Sequence, residues 1–136
     1  MAASVLVDAG FVVALLSRRD AHHRWAVLQA ERQPPPWKTC ESALSEAFHL
    51  LGTSGAPPLR ALLRRHAVAV AFDLDANLDA VLKLLQKYAD VPVSLADASL
   101  VRMTETLRDP LVLTTDADFR VYRRHGRQTV PCVTPH

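Results

Sequence analysis

Four acidic residues stand where proteins with parallel sheets usually place their functional groups. Asp8 ends a short apolar run, Ser-Val-Leu-Val, and Asp116 follows a second one, Leu-Val-Leu-Thr-Thr. Glu46 and Asp97 each belong to a segment with helical spacing, Asp97 in the first turn. In an open parallel sheet, function collects just beyond the carboxyl ends of the strands. If the strands before Asp8 and Asp116 are neighbours, their carboxylates converge at one edge of the sheet.

Clustered carboxylates indicate a particular chemistry. Two of them ~4 Å apart repel by about 4 kcal/mol at an effective dielectric constant of ~20. They must therefore take up protons or bind a cation, and the sequence places no Lys or Arg among them. All-oxygen ligands suit Mg²⁺ or Mn²⁺ rather than zinc. Such ions generate hydroxide from water and stabilise in-line attack on phosphate, so the pattern predicts metal-assisted phosphodiester hydrolysis.

Each acid also has a structural interpretation. Ser94 and Asp97 belong to Ser-Leu-Ala-Asp, which is close to a capping box. Asp116 is placed to cap the short helix that follows it, and Glu46 has the form of an ordinary exposed helix acid. Asp8 is the hardest to explain in this way, because an acid that closes a buried strand needs a partner and no basic residue adjoins it.

Strands and helices alternate along the chain. Apolar runs predict strands at residues 4–7, 37–40, 68–72, 111–114 and 129–133. Helices are predicted at residues 10–16, 21–33, 41–51, 59–66, 77–88, 94–108 and 116–124. Asp20 is predicted to cap the second helix, and residues 52–58 are predicted to form a loop. Strands that alternate with crossover helices indicate the α/β class, with a parallel sheet covered on both faces.

The composition fits a soluble globular domain. The chain has 136 residues, 49% of them hydrophobic and 22% charged. No apolar run approaches the ~20 residues that span a bilayer, so a membrane is not expected as a partner. Cys40 and Cys132 belong to no Cys-x-x-Cys pair, which argues against a zinc or redox site and favours a cytoplasmic protein. The net charge of +2 is too small to indicate nucleic-acid binding by itself.

Four stretches together resemble the PIN domain, in particular the small bacterial PIN ribonuclease toxins of type II toxin–antitoxin pairs. They are Val-Leu-Val-Asp-Ala, Leu-Ser-Glu-Ala-Phe-His-Leu-Leu, Ser-Leu-Ala-Asp-Ala-Ser-Leu-Val and Leu-Val-Leu-Thr-Thr-Asp-Ala-Asp-Phe. Their order and spacing cover nearly the whole chain. The resemblance implies one PIN-like nuclease domain over residues 1–136 with a five-stranded parallel sheet. It also implies an acidic pocket for Mg²⁺ or Mn²⁺, endonuclease action on RNA, and a homodimer.

The resemblance also assigns roles to residues. It implies that the catalytic and metal-binding acids are those already singled out: Asp8, Glu46, Asp97 and Asp116. Asp118 matches a position that is often acidic and is expected to assist in metal binding. Thr115 corresponds to a frequent hydroxyl residue beside the fourth acid and is expected to support it. Many relatives carry Asn, Ser or Thr two residues after the first Asp, where this chain has Gly10.

Basic residues cluster shortly after the fourth acid. Arg120, Arg123 and Arg124 are predicted to contact RNA phosphates. A solvated surface without a ligand is the competing interpretation of this cluster.

Three functions are compatible with these features of the sequence. The main hypothesis is a metal-dependent RNA endonuclease that acts as a toxin and pairs with an antitoxin protein. The first alternative is a non-catalytic PIN-like module that binds RNA or protein, against which the four intact acids argue. The second is a metal-dependent phosphoesterase acting on small molecules. Haloacid-type phosphatases would need Asp at position 10, where the chain has Gly10.

Overall fold

The computed structural model describes residues 2–136. Within them the strands are β1 (Ser4–Val7), β2 (Trp37–Thr39), β3 (Val68–Val70), β4 (Pro110–Leu113), β5 (Arg123–Arg124), β6 (Gln128–Thr129) and β7 (Cys132–Val133). The helices are α1 (Ala9–Leu16), α2 (His23–Arg32), α3 (Glu41–Gly55), α4 (Pro57–Arg64), α5 (Leu78–Lys87) and α6 (Leu95–Thr106). Short 3₁₀ turns cover Asp75–Asn77 and Ala117–Arg120. Across residues 2–136, none of the helices has the length and apolarity to cross a lipid bilayer.

The main sheet has five parallel strands in the order β3-β2-β1-β4-β7. The central strand β1 pairs with β4 so that Val7 lies opposite Leu113. Asp8 and Thr114 are the next residues along these two strands, so they leave the sheet side by side. The predicted α/β class and five-stranded parallel sheet are confirmed, and so is the convergence of the β1 and β4 ends.

Apolar side chains cover both faces of the sheet. Alternate residues of β1 point to opposite sides, with Val5 and Val7 in one cluster and Leu6 in the other. Helices α1 to α4 contribute to the first cluster, and α6 contributes more residues to the second than any other helix or strand does. Each Å² of apolar surface buried in this way stabilises the fold by about 25 cal/mol. The helices therefore lie on both faces of the sheet, as predicted.

The predicted loop at residues 52–58 is wrong. Helix α3 continues to Gly55 through a kink at Gly52, whose φ is 69°. Glycine adopts this left-handed conformation at little cost because it has no Cβ. Helix α4 then begins at Pro57. Proline is tolerated in the first turn of a helix, because backbone N–H groups there have no partner within the helix.

The predicted cap at Asp20 is also wrong. Helix α2 begins at His23, and His22 is its N-cap without a side-chain hydrogen bond. The Asp20 carboxylate instead accepts from the backbone N–H of His22 at 2.9 Å. Asp20 thus stabilises the turn before α2 rather than the helix itself.

The predicted helix at residues 116–124 is replaced by a 3₁₀ turn and a hairpin. After the turn Ala117–Arg120, β5 and β6 pair antiparallel. His125 and Gly126, with φ of 50° and 83°, supply the positive φ values that a tight hairpin turn needs. Of the predicted last strand, only Cys132–Val133 joins the main sheet.

Candidate active site

Four carboxylates line one cleft at the carboxyl edge of the sheet. The cleft has a volume of about 110 Å³. Asp8, Glu46, Asp97 and Asp116 line it together with Ala9, Gly10, Ala96 and Thr115. None of these eight lining residues is basic. The structure therefore brings the four predicted acids together, while their catalytic and metal-binding roles stay predictions.

Asp8 is buried and held at both carboxylate oxygens. It is the N-cap of α1, and its Oδ1 accepts from the backbone N–H of Phe11 at 2.8 Å. The Thr114 hydroxyl donates to Oδ2. Asp is a preferred N-cap residue, and the amide end of a helix favours a negative charge. These contacts fix the orientation of Asp8 in the cleft.

The electrostatic surroundings of Asp8 disfavour its charged form. Burial, assisted by the negative charges of Asp97 and Asp116, raises the pKa of Asp8 from 3.8 to about 7. The hydrogen bonds from Thr114 and Phe11 lower the pKa and only partly offset this rise. Near neutral pH the Asp8 carboxylate therefore needs a proton or a cation close by.

Asp97 serves the fold and faces the cleft at once. It forms a capping box with Ser94, with hydrogen bonds of 3.0 and 3.1 Å that start α6. The hydroxyl of buried Tyr122 donates to Oδ2 of Asp97 at 3.2 Å, the oxygen that also accepts from the backbone N–H of Ser94. Burial and then the charge of Asp116 raise the pKa of Asp97. The structural interpretation of Asp97 as a cap is correct, and it does not remove the carboxylate from the cleft.

The remaining acids differ in how they are held. Asp116 caps the 3₁₀ turn, and its Oδ1 accepts from the backbone N–H of Asp118 at 2.8 Å. Glu46 is exposed on α3 and lines the cleft. Asp118 does not line the cleft. Its charge nevertheless contributes, after burial and the nearer acids, to raising the pKa of Tyr122.

Thr114 is a site residue that the sequence analysis missed. Its hydroxyl donates to Asp8 and accepts from the backbone N–H of Asp116 at 2.9 Å. Thr114 is fully buried, so one hydroxyl ties two acids of the cleft together. A polar residue that directly follows a buried apolar strand was the available signal. Once β4 pairs with β1, that residue lies beside Asp8.

Thr115 lines the cleft and explains why residue 10 is a glycine. A Cβ atom at Gly10 would lie 2.1 Å from the Thr115 hydroxyl oxygen and 3.5 Å from Oδ1 of Asp8. The Thr115 hydroxyl therefore occupies the space that a side chain at position 10 would need. The polar group of this part of the cleft comes from the segment after β4 instead of α1.

The three arginines that were predicted to contact RNA phosphates bind the protein's own backbone. Each guanidinium group donates to carbonyl oxygens: that of Arg120 to residue 136, that of Arg123 to residues 120–122 and that of Arg124 to residue 104. None of the three lines the cleft. These contacts stabilise the hairpin and hold residue 136 in place, and the role of the three arginines in RNA binding stays a prediction.

The donor set of the cleft suits a divalent cation. Among residues 2–136, no three Asp, Glu, His or Cys side chains stand close enough to enclose an ion without moving. The lining nevertheless offers four carboxylates and one hydroxyl, which are the hard oxygen ligands of Mg²⁺ and Mn²⁺. With no basic lining residue, a cation is the natural counter-charge to these acids.

Comparison with known proteins identifies the family of the chain. The PIN domain family model matches residues 5–124. The chain belongs to the PIN domain family. The matched residues of this chain include all four cleft acids and every strand of the main sheet except β7. No curated protein shows significant similarity to the chain.

A solved structure shows the same fold. The sarcin-ricin loop cleaving toxin VapC20 of Mycobacterium tuberculosis has a TM-score of 0.67 with this PIN domain. The two are 24% identical, over 76% of this chain and 82% of that one. At this identity the likeness concerns the fold.

Proposed function

We propose that the chain is a metal-dependent RNA endonuclease that hydrolyses phosphodiester bonds at the acidic cleft. The observation that carries the proposal is the convergence of Asp8, Glu46, Asp97 and Asp116 in one cleft of a PIN domain. No lining residue offsets their charge, and burial with neighbouring acids raises the pKa of both Asp8 and Asp97. A site of this kind lowers its electrostatic free energy by binding Mg²⁺ or Mn²⁺.

The protein's own contacts prepare this cleft for a cation and a phosphodiester. Thr114 and Phe11 fix the carboxylate of Asp8, and Ser94 and Tyr122 fix that of Asp97. Ligands that are already oriented lose less entropy on binding than free ones do. When bound, Mg²⁺ or Mn²⁺ supplies the positive charge that activates water and stabilises the phosphate during displacement. Glu46 is exposed and able to move toward the ion from the open side.

RNA is the proposed substrate class, and toxin action is the proposed context. The fold is shared with VapC20, which is described as a toxin that cleaves the sarcin-ricin loop. On that likeness we propose a toxin held inactive by an antitoxin protein, acting in the cytoplasm as a homodimer of single PIN domains. Residues 2–136 contain no candidate membrane span, and the proposal includes no membrane partner.

The test is cleavage of a structured RNA with Mg²⁺, Mn²⁺ or EDTA. Wild type is compared with Asp8→Asn, Asp97→Asn and the control Asp90→Asn, which removes an exposed acid outside the cleft. Cleavage that needs metal, persists in the control and disappears in both cleft variants supports the proposal. Equal cleavage by all four proteins identifies a contaminating nuclease. If the folded wild type with metal cuts no RNA, the binding-module and small-molecule phosphoesterase alternatives replace it.

A further inference from the structure

A second, larger hollow lies beside the acidic cleft. Its volume is about 390 Å³, within the range of roughly 300–1,000 Å³ that is usual for pockets holding small organic groups. Helices α3 and α6 and the segment after β3 line it. We call it the side pocket. It contains none of the four cleft acids, and the proposed hydrolysis does not use it.

The side pocket and the acidic cleft share two helices. On α3, Ser45 lines the side pocket and the next residue, Glu46, lines the cleft. On α6, Leu95 lines the side pocket and the next residue, Ala96, lines the cleft. Consecutive residues of a helix point about 100° apart, so neighbouring positions serve adjacent hollows. A group in the side pocket is therefore next to whatever the carboxylates hold.

The lining combines apolar surfaces with polar edges. Half-buried Phe72 and the side chain of Leu95 supply apolar walls. Ser45 and Ser99 add hydroxyl groups that donate and accept hydrogen bonds, and Glu41 adds an acceptor at the rim. Unstacked RNA bases are recognised by this combination, an aromatic side chain against the ring and polar groups along its edge.

The same lining disfavours two other occupants. The Glu41 carboxylate repels a phosphate, whereas it accepts hydrogen bonds from the amino group of a base such as cytosine. An aliphatic side chain from a partner protein would bury hydroxyls such as those of Ser45 and Ser99 without partners. Each such loss costs about 1–3 kcal/mol. A planar heterocycle with polar edges packs against the apolar walls and forms hydrogen bonds with the hydroxyls.

We infer that the side pocket receives one unstacked base of the RNA, next to the phosphodiester held at the acidic cleft. The inference rests on the proposed function and adds a base-binding subsite to it. Bases inside a double helix are stacked and cannot enter such a pocket, so the substrate is RNA with single-stranded or looped nucleotides. The pocket would then determine which nucleotide lies beside the cut.

The experiment blocks the side pocket and compares variants in matched pairs. Ser45→Phe fills it from an exposed helix position, and Ser54→Phe places the same ring elsewhere on α3. Phe72→Leu removes the aromatic ring but keeps apolar bulk. Measured quantities are the distribution of cleavage sites in a single-stranded RNA, kcat/KM for that RNA, and kcat/KM for bis(4-nitrophenyl) phosphate, a diester without a base. RNA affinity in EDTA is measured by fluorescence anisotropy.

We expect the ratio of the two kcat/KM values to fall about tenfold in Ser45→Phe and Phe72→Leu, as for the loss of one stacked base. Their site preference should broaden, and their RNA affinity should fall, while Ser54→Phe resembles wild type. If the cleavage sites, the ratio of the two kcat/KM values and the RNA affinity are all unchanged, the inference is overturned, but the proposed nuclease activity is not. A side chain of a partner protein is then the alternative occupant of the side pocket. If wild type hydrolyses neither substrate, the proposed function fails. The RNA affinities in EDTA then test the side pocket by themselves. Weaker RNA binding only in Ser45→Phe and Phe72→Leu supports a base in the side pocket, whereas equal binding by all variants, or no binding, overturns it.

Discussion

The two sides of the acidic cleft hold their carboxylates differently. On the strand side, Asp8 is buried and bonded at both oxygens, and Asp116 shares Thr114 with it. On the side formed by α3, Glu46 is exposed and has no hydrogen bond that fixes its carboxylate among the side-chain contacts of residues 2–136. The strand side is thus oriented before any ligand arrives, at the cost of crowded charge. The α3 side stays free to adjust, and substitutions on the two sides should have separable effects.

The largest expected effect is the pH dependence of stability caused by Asp8. Its pKa is about 7 in the folded protein against an ordinary value of 3.8, because it is buried near other acids. The folded state therefore binds the proton more tightly. The free energy of unfolding falls as pH rises from about 4 to about 7 and is flat above that range. The difference in pKa corresponds to a decrease of about 4 kcal/mol in the free energy of unfolding over this pH range.

Urea unfolding of the metal-free protein at several pH values checks this expectation. Asp8→Asn should lack this part of the decline, since its side chain does not titrate. Above pH 7, Mg²⁺ or Mn²⁺ should raise the stability of wild type more than that of the variant. Parallel curves for the two proteins across pH 4 to 7 would show that Asp8 is not the group responsible.

The next effect comes from Thr114→Val, which removes the hydroxyl that links Asp8 and Asp116. We expect nuclease activity or metal affinity to fall about 10–100-fold, the usual cost of losing a group that orients a metal ligand. The free energy of unfolding should fall by about 1–3 kcal/mol, because the buried Asp8 carboxylate loses a donor and the partly buried N–H of Asp116 loses its acceptor.

Thr39→Val is the matched control for this variant. Thr39 is equally buried and donates from its hydroxyl to the backbone carbonyl of Val7 at 2.8 Å, without touching an acid. Its loss should cost similar stability and leave the rate of cleavage close to that of wild type. Equal losses of activity in the two variants would mean that Thr114 acts only through stability.

A smaller effect is expected on the α3 side. Glu46→Gln should lower the rate of RNA cleavage by about tenfold, less than Thr114→Val at its upper range, because one movable ligand is weakened. Its stability should change by less than ~0.5 kcal/mol, since Glu46 is exposed. Thermal unfolding and kcat/KM measure the two quantities, with Glu31→Gln on α2 as control. A large loss of stability would contradict the separation between the two sides.

The sequence was informative wherever local pattern and topology decide the structure. The apolar runs before Asp8 and Asp116 predicted two strands, and the rule for parallel sheets then predicted where their acids meet. It was uninformative where contacts distant in the chain decide. Thr114 and Thr115 are adjacent hydroxyl residues, and only the pairing of Val7 with Leu113 shows which of them lies against Asp8. The backbone contacts of the arginines after Asp116 likewise arise from the folded hairpin and carry no local signal.

The last prediction moves a hydroxyl from one wall of the cleft to the other. Gly10→Ser introduces a Cβ only 2.1 Å from the Thr115 hydroxyl oxygen, so one of the two residues must shift. We expect a loss of about 1–3 kcal/mol in the free energy of unfolding, the usual cost of overpacking. Adding Thr115→Ala removes the clashing oxygen and leaves a Cβ contact of 3.4 Å, so the double variant should regain most of the stability. The three variants and wild type form a double-mutant cycle, measured by urea unfolding, in which a favourable coupling between the substitutions is expected. Additive effects would mean that the Thr115 hydroxyl does not occupy the space of a side chain at position 10, and that Gly10 is required for another reason.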